Sequence, residues 1–290
     1  MRLIIVSGLS GSGKSVALAM LEDLDFYCVD NIPAGLLPGF IAYTVRTSEP
    51  AYRRTAVGVD ARNRPEDLAD VPRLVAELRR SGIECEVLFL RADNDTLLKR
   101  FSETRRRHPL SRTGLGLQEA LEQEERLLIP VANAADLAVD TSRLSVHELR
   151  ELIRERVVER RAGGPSLLFQ SFAYRHGVPD DADFVFDARA LPNPYWEPAL
   201  RDCTGRDEAV AQFMARHEEA TQFLDDIKNF LEHWLPSLVR SNRSYLTIAV
   251  GCTGGQHRSV FLAERLAEHF DGRYGRALIR HRDLTSRRHE

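Results

Sequence analysis

The stretch Gly8-Leu9-Ser10-Gly11-Ser12-Gly13-Lys14-Ser15 follows an apolar run at residues 3–6 and precedes an apolar-periodic segment at residues 16–24. This order predicts a strand, a glycine-rich loop and a helix, which is the context that the pattern G-x-x-x-x-G-K-[ST] requires. Glycines let successive backbone N–H groups converge on phosphate oxygens, and the helix N-terminus adds partial positive charge. We expect Lys14 to reach the β- and γ-phosphates of a nucleotide and the Ser15 hydroxyl to ligate Mg²⁺. A merely flexible Gly/Ser loop would not account for Lys-Ser at this spacing.

The composition of the 290-residue chain is that of an ordinary globular protein, with 43% hydrophobic and 29% charged residues. Its length allows two hydrophobic cores, so we expect two domains. No apolar run reaches bilayer-spanning length and no secretory signal pattern precedes the first strand, which predicts a cytoplasmic protein. The formal net charge of -3 conceals a strongly basic last twenty residues, so whole-chain charge is a poor guide to partners.

The four cysteines are widely spaced and form no CxxC pair or Cys/His cluster with zinc-ligand spacing; they are Cys28, Cys85, Cys203 and Cys252. We therefore expect reduced thiols and no structural metal.

Strands alternate with helices through the first half, which predicts an α/β fold with a doubly wound, mostly parallel sheet. Polar residues follow several strands, at the edge where such sheets bind ligands. Asp30 could hold Mg²⁺ or an acceptor substrate, or it could cap a helix. The stretch Asp60-Ala61-Arg62-Asn63 suits nucleotide recognition as well as capping, and its place at the sheet edge favours recognition. Asp93 is the candidate for a Walker B carboxylate, with a helix N-cap as the alternative.

A basic helix end precedes a glycine-containing loop and resembles the lid of a kinase. Arg105 and Arg106 could neutralise charge that develops on a γ-phosphate, whereas the alternative is a solvated cationic helix terminus. We favour the phosphate role.

The stretch Ala162-Gly163-Gly164-Pro165 breaks a long charged helix and places the domain boundary, with a nucleotide-binding domain at residues 1–162 and a second α/β domain at residues 165–290. In the second domain a proline-rich turn carries Asn193 and Tyr195 beside Arg189. This turn could serve packing alone, yet its polar groups would also suit a small polar ligand.

A second phosphate-binding pattern lies between a predicted strand at residues 245–250 and a predicted helix at residues 260–270. It reads Gly251-Cys252-Thr253-Gly254-Gly255-Gln256-His257-Arg258-Ser259, a glycine-rich turn with an arginine at a helix N-terminus. We expect it to bind a phosphorylated metabolite. The spacing Cys-x5-Arg-Ser also matches the phosphate loop of cysteine-dependent phosphatases, which is the minor alternative.

The chain ends in clustered arginines with an aromatic residue, a pattern typical of nucleic-acid binding; a solvated tail is the alternative. The candidates for RNA contact are Arg273, Arg276, Arg280, Arg282, Arg287 and Arg288. Leu278-Ile279 indicates a strand core, so part of this end is expected to be ordered.

Taken together, VSGLSGSGKSVAL, FYCVDNIP, TRRRHPL, VDTSRLSVHEL, DFVFDARALPNPYW and NRSYLTIAVGCTGGQHRSV closely resemble the RapZ/YvcJ family of bacterial nucleotide-binding proteins over essentially the whole chain. The resemblance implies a P-loop kinase-like N-terminal domain with ATPase and GTPase activity, an ATP site at residues 8–15 and a guanine-nucleotide segment at residues 60–63. For enteric members it implies a C-terminal domain that senses glucosamine-6-phosphate and presents a small regulatory RNA to ribonuclease E, with RNA contacts at residues 271–290.

The chain departs from enteric members at three places. Leu90-Arg91-Ala92-Asp93 stands where they read Leu-Asp-Ala-Asp, Tyr195 stands where they have a histidine, and the basic end contains no lysine. We expect a cytoplasmic homo-oligomer that binds ATP, GTP and Mg²⁺, an amino-sugar phosphate and RNA. The rival hypothesis is a small-molecule P-loop kinase whose second domain holds the acceptor, supported by Asp30, Arg105 and the lid.

Overall fold

The computed structural model describes residues 1–47, 49–104, 107–113, 115–158, 165–241, 243–274 and 277–284. The chain divides into two compact units, unit 1 at residues 1–159 and unit 2 at residues 160–290. Each unit has its own cluster of buried apolar side chains.

Unit 1 is built on a parallel sheet. Its strands are β1 (Arg2–Gly8), β2 (Tyr27–Val29), β3 (Arg54–Gly58), β4 (Glu84–Arg91) and β5 (Leu137–Asp140). Within the described residues they lie in the order β2-β3-β1-β4-β5. The helices between them are α1 (Lys14–Asp23), α2 (Leu37–Thr47), α3 (Pro65–Arg80), α4 (Asn94–Thr104), α5 (Leu117–Asn133) and α6 (Val146–Ile153).

The middle strand β1 is buried on both faces because helices cover both sides of the sheet. Leu3, Ile4, Ile5 and Val6 each have no exposed surface. Val6 pairs with Gly58 of β3 on one side and with Leu88 of β4 on the other. Since all these strands are parallel, the loop after β1 lies at the edge where β3 and β4 end. The doubly wound α/β fold predicted from the sequence is confirmed.

Two local expectations for unit 1 need correction. The sequence predicts a buried second strand, but Tyr27 is 41% exposed because β2 is an edge strand that pairs only with β3 among the described residues. The helix expected to run to about residue 161 is α-helical only to Ile153 and continues as a π-helical turn, Arg154–Val158.

Unit 2 contains a second parallel sheet. Its strands are β6 (Ser166–Ala173), β7 (Phe184–Asp187), β8 (Tyr245–Cys252) and β9 (Ala277–His281), in the order β7-β8-β6-β9 within the described part of the chain. The helices are α7 (Glu208–Ala215), α8 (Glu218–Arg240) and α9 (Arg258–Phe270). Phe169 of β6 stacks on Phe270 of α9, with ring centroids 5.7 Å apart, and both side chains are completely buried.

The basic end is partly ordered, as Leu278-Ile279 indicated. Residues of β9 pair with β6, and Leu278 is buried. None of the described helices is long and apolar enough to cross a membrane.

Candidate functional site

The loop after β1 approaches β4 so closely that it requires glycine. Gly8 has a φ of 143°, and a Cβ at this position would lie 2.0 Å from the carbonyl oxygen of Leu90. Gly13, immediately before α1, has a φ of 106°, which is also left-handed. These constraints bend residues 8–15 around the N-terminus of α1.

The N-terminus of α1 carries no side-chain cap, so its first N–H groups remain available to an anion. The hydroxyl of Ser12 is buried and has no hydrogen-bond partner among the described residues, while Ser15 is exposed. These donors fit the phosphates of a nucleotide with Mg²⁺, which Ser15 would help to hold.

Lys14 lies folded along the loop. Its Nζ donates to the carbonyls of Gly8, at 2.8 Å, and Leu9, at 3.1 Å. Burial lowers the pKa of Lys14, whereas Glu124 and Asp60 oppose that effect. Lys14 therefore lies in the electrostatic field of Glu124 on α5 and of Asp60 after β3.

Arg100 and Thr141 brace the loop from outside, and no pattern in the sequence marks them. Arg100 Nη1 donates to the carbonyl of Gly11 at 2.9 Å, and the hydroxyl of Thr141 donates to that of Ser12 at 2.9 Å. Arg100 also donates to the carbonyl of Thr141 at 2.6 Å. The turn is therefore held by α4 and by the end of β5.

Glu124 is a third brace that sequence reasoning missed. It lies on the apolar face of α5 with Leu121 and Leu128, and its carboxylate accepts hydrogen bonds from Ser10. A carboxylate on an apolar helical face was the signal that could have identified it, because such a group is seldom buried without a partner.

The structure brings the acids at the strand ends to the loop. Asp60 accepts two hydrogen bonds from the Arg62 side chain and one from its N–H, and this pairing holds the pKa of Asp60 below its usual value despite burial, which acts to raise it. Asn63 accepts from the N–H of Ala34, so its amide serves the loop itself. Arg62 keeps a half-exposed side chain, and Ala61 is buried.

Asp30 does not cap the 3₁₀ turn that follows it, since the N-cap of that turn is Pro33. Its carboxylate lies beside Gly58 at the end of β3 and contributes to the field around Lys14. Asp93, in contrast, caps α4: its Oδ1 accepts from the N–H of Thr96 at 2.7 Å. In this structure Asp93 is therefore a helix N-cap, which was the alternative to a Walker B carboxylate. Arg105 and Arg106 lie outside the described residues.

The loop after β8 has the same plan as the first loop. Gly255 has a φ of 68°, and its N–H donates to Cys252 Sγ at 3.2 Å. The helix α9 starts at Arg258 with no side-chain cap. Thr253 is exposed, and a Cβ on Gly254 would meet nothing within 4 Å. An anion could therefore reach the backbone of this loop.

Arg258 lies beneath this loop and is only 5% exposed. Its Nη1 donates to the carbonyls of Arg189, at 2.9 Å, and Leu191, at 3.0 Å, and its Nη2 is 3.5 Å from the hydroxyl of Thr253. Its buried Nε has no partner among the described residues. Burial lowers the pKa of Arg258, but an arginine remains charged at neutral pH.

Other residues predicted for this site point into the protein. His257 Nε2 lies 3.1 Å from the carbonyl of Leu200, and burial lowers the pKa of its imidazole. The Ser259 hydroxyl lies 3.1 Å from Cys252 Sγ, and both residues are buried. These three side chains support the loop from below.

The aromatic turn lies after β7, beyond the carbonyls that bind Arg258. Asn193 Oδ1 accepts from the N–H of Tyr195 at 3.4 Å. Tyr195 is 46% exposed, and the Arg201 guanidinium lies 5.1 Å from its ring centroid. Asn193 and Tyr195 were predicted to bind a ligand. The two contacts described here join them to residues within the segment 193–201.

The basic end has ordered arginines with protein partners. Arg273 pairs with Glu232 at 2.6 Å, and Arg280 Nη1 donates to Gln170 at 3.4 Å. The side chain of Arg282 is only 7% exposed and pairs with Asp283 at 3.1 Å. Burial leaves Arg282 little surface for RNA. Arg276, Arg287 and Arg288 lie outside the described residues.

Comparisons with known proteins cover both units. Residues 1–161 match the family model of the RapZ-like N-terminal domain, and residues 165–285 match that of the RapZ C-terminal domain. The chain is 53% identical over 285 residues to a nucleotide-binding protein of Nitrosococcus oceani, covering 98% of this chain and 100% of that protein. It is 54% identical over 286 residues to one of Thioalkalivibrio sulfidiphilus, with the same coverage.

Among solved structures, shikimate kinase from Bacteroides thetaiotaomicron aligns with 53% of this chain and 97% of its own, at 14% identity and a TM-score of 0.36.

Replacing Lys14 with alanine is expected to weaken Mg²⁺-ATP binding about tenfold or more, because a charge-assisted hydrogen bond contributes about 1.5–3 kcal/mol. Titration calorimetry measures the affinity, and circular dichroism checks the fold. The matched control is Lys99→Ala, since Lys99 is exposed on α4. Unchanged affinity in Lys14→Ala would remove the loop at residues 8–15 from the nucleotide site.

Proposed function

The chain belongs to the RapZ family, and from this we propose that it is a cytoplasmic, homo-oligomeric regulator whose unit 1 binds and hydrolyses ATP and GTP with Mg²⁺. We further propose that its unit 2 binds a phosphorylated amino sugar and a small regulatory RNA, which it presents to ribonuclease E. The glycine-rich loop at the uncapped N-terminus of α1 is the observation that carries the nucleotide part.

The proposal assigns a role to the N–H groups at the start of α1, to Lys14 and to Ser15. The N–H groups at the start of α1 hold phosphate oxygens, Lys14 leaves the carbonyls of Gly8 and Leu9 to meet the β- and γ-phosphates, and Ser15 contributes a hydroxyl to the metal. Mg²⁺, when bound, neutralises charge on the β- and γ-phosphate oxygens. Arg62, half-exposed at the same edge, is the described cation best placed to contact a phosphate or a base from the side of β3.

The small-molecule kinase is the second candidate, because Asp30 and Asp60 both act electrostatically on Lys14. A kinase needs a carboxylate near the γ-phosphate to receive the proton of an acceptor hydroxyl. Asp60 is engaged by Arg62, which leaves Asp30 as the candidate base.

Incubating the protein with γ-labelled ATP or GTP distinguishes nucleotide hydrolysis from the transfer of phosphate to a small molecule. We expect inorganic phosphate to be released from both nucleotides without an added acceptor, and Lys14→Ala to abolish the release. Label transferred to a small molecule, with negligible release when the acceptor is omitted, would favour the kinase.

The second loop supports phosphate binding in unit 2. Exposed Thr253, the open space at Gly254 and the uncapped N-terminus of α9 offer donors to an anion, and Arg258 places a charge directly below them. The family resemblance supports an amino sugar such as glucosamine-6-phosphate as the bearer of the phosphate.

The phosphatase alternative lacks a suitable proton donor at the neighbouring strand end. Asp187 is the last residue of β7 and pairs with Gly251 of β8, but its hydrogen bonds with Arg189 hold the pKa of Asp187 below its usual value. An ionised carboxylate cannot protonate a leaving alcohol. Cys252 then serves as a buried partner for Ser259 and the N–H of Gly255.

Arg258→Lys is expected to weaken binding of glucosamine-6-phosphate about tenfold or more, because lysine keeps the charge but loses the planar fork. Cys252→Ser is the matched control, since a hydroxyl can keep both hydrogen bonds of the thiol, and it should retain affinity. Amide chemical shifts at residues 253–255 report the site. Release of phosphate from the sugar, abolished by Cys252→Ser, would instead support the phosphatase.

The basic end supports RNA binding, although its arginines are not equivalent. Arg282 packs over Phe172 and pairs with Asp283, whose carboxylate also accepts from the N–H of Ala173. Arg282 therefore orders the end of β9. Arg280 is only partly buried, and together with Arg287 and Arg288 it forms the better set for contact with RNA phosphates.

Replacing Arg280, Arg287 and Arg288 together with alanine should weaken RNA binding and reduce its salt dependence. For each RNA phosphate that an arginine no longer neutralises, the slope of log K against log salt changes by roughly 0.7–0.9. Gel-shift titrations at two salt concentrations measure this. The control removes three exposed arginines of unit 1, Arg64, Arg73 and Arg126. An unchanged slope would leave the basic end as a solvated terminus.

A further inference from the structure

Glu124 is a completely buried carboxylate in unit 1 that the proposed chemistry does not use. It lies on α5 among Ala120, Leu121 and Leu128, which are also buried. Burying a carboxylate among apolar groups is costly unless donors surround it. The donors that Glu124 contacts show what it does.

Two of these donors belong to one residue of the phosphate loop. Glu124 Oε2 accepts from the N–H of Ser10 at 2.7 Å, and Oε1 accepts from the Ser10 hydroxyl at 2.7 Å. The carboxylate thus binds both the backbone and the side chain of Ser10. The direction of the Ser10 N–H is set by α5, which is distant in sequence.

The third contact comes from His108, which is only 2% exposed. Its Nδ1 accepts from the N–H of Leu110 at 3.2 Å, so this nitrogen carries no proton. The proton then lies on Nε2, which donates to Glu124 Oε2 at 3.0 Å. His108 therefore contacts Glu124 through Nε2 and orients its carboxylate.

We propose that Glu124 is a positioning residue for the nucleotide-phosphate loop, with His108 as the group that fixes its carboxylate. By holding Ser10, Glu124 keeps the turn from Gly8 to Gly13 in the shape that directs the N–H groups of residues 11–15 towards phosphate. Binding then requires little reorganisation of the loop, and preorganised donors bind anions more tightly than donors that must first be ordered.

Arg100 and Thr141 hold the carbonyls of Gly11 and Ser12, whereas Glu124 holds the donors of Ser10. The loop is thus fixed through carbonyls on one side and through an N–H and a hydroxyl on the other. Burial lowers the pKa of Lys14, and the negative charges of Glu124 and Asp60 oppose this effect.

Glu124→Gln tests the proposal in the full-length protein, with Mg²⁺-ATP as the probe. Glutamine can keep an acceptor for the Ser10 N–H and His108 and can donate its NH₂ to the Ser10 hydroxyl, which both donates and accepts, so the change removes the negative charge that strengthens these hydrogen bonds. We expect Mg²⁺-ATP affinity to fall about tenfold or more. The matched control is Glu125→Gln, the exposed neighbour on α5, which should bind as the parent does.

A double-mutant cycle separates positioning from a general loss of stability. Ser10→Ala removes the hydroxyl donor, and we expect the loss of affinity caused by Glu124→Gln to be at least about threefold smaller in that background, because the two groups act through one contact. A merely structural carboxylate would lower the melting temperature and give additive effects on affinity. If Glu124→Gln fails to fold, His108→Ala replaces it in the cycle with Ser10→Ala. His108→Gln, which keeps an N–H donor, is then the conservative control.

The inference rests on nucleotide binding at residues 8–15, so Lys14→Ala is measured in parallel. Loss of affinity in Lys14→Ala with none in Glu124→Gln, or additive effects in the cycle, would overturn the positioning role alone. Tighter binding by Glu124→Gln would also overturn it, since the carboxylate would then compete with phosphate for the loop. Unchanged affinity in Lys14→Ala would overturn the nucleotide site itself.

Discussion

The close passage of Gly8 against the carbonyl of Leu90 is the constraint on which the organisation of unit 1 depends. A Cβ at Gly8 would lie 2.0 Å from that oxygen, so only glycine lets β1 run beside β4 to its last residue. The N–H of Leu9 then bonds to the same carbonyl at 3.1 Å. The turn begins where the sheet ends, and α1 starts with its N–H groups directed at the sheet edge. The phosphate site proposed for this loop therefore depends on the pairing of β1 with β4.

Buried charge gathers at this edge and at the corresponding edge of unit 2. Glu124 and Asp60 surround Lys14 in unit 1, whereas Arg258 lies under the second loop in unit 2. Each buried group has hydrogen-bond partners that offset its desolvation: Ser10 and His108 for Glu124, and two backbone carbonyls for Arg258. Glu124 and Arg258 are thus two buried charged groups that lie next to the loops preceding α1 and α9.

The two loops differ in how they carry their positive charge. Lys14 is a flexible side chain that rests on carbonyls of its own loop and can turn towards a ligand. Arg258 donates a hydrogen bond to the carbonyl of Arg189 in the segment after β7, and its guanidinium is rigid and planar. A flexible ammonium suits the nucleotide hydrolysis proposed for unit 1, during which the phosphates change. A fixed guanidinium suits a ligand that is recognised and released unchanged, which agrees with the sensing role proposed for unit 2.

The local pattern around residues 8–15 was enough to predict strand, loop and helix, because hydrophobic periodicity and glycine positions are properties of neighbouring residues. The same reasoning located the second loop at Cys252–Ser259 and the α/β alternation. Contacts between distant residues were beyond it: Glu124 meets Ser10 across more than a hundred residues, and the carboxylate of Asp283 accepts from the N–H of Ala173 only once β9 pairs with β6. Capping also needed the fold, because a carboxylate such as Asp93 either caps a helix or faces a ligand according to where the chain turns next. Sequence by itself determined the elements and the type of loop. Tertiary structure decided which side chains are buried, paired or left to bind, because burial and pairing depend on neighbours supplied by other strands and helices.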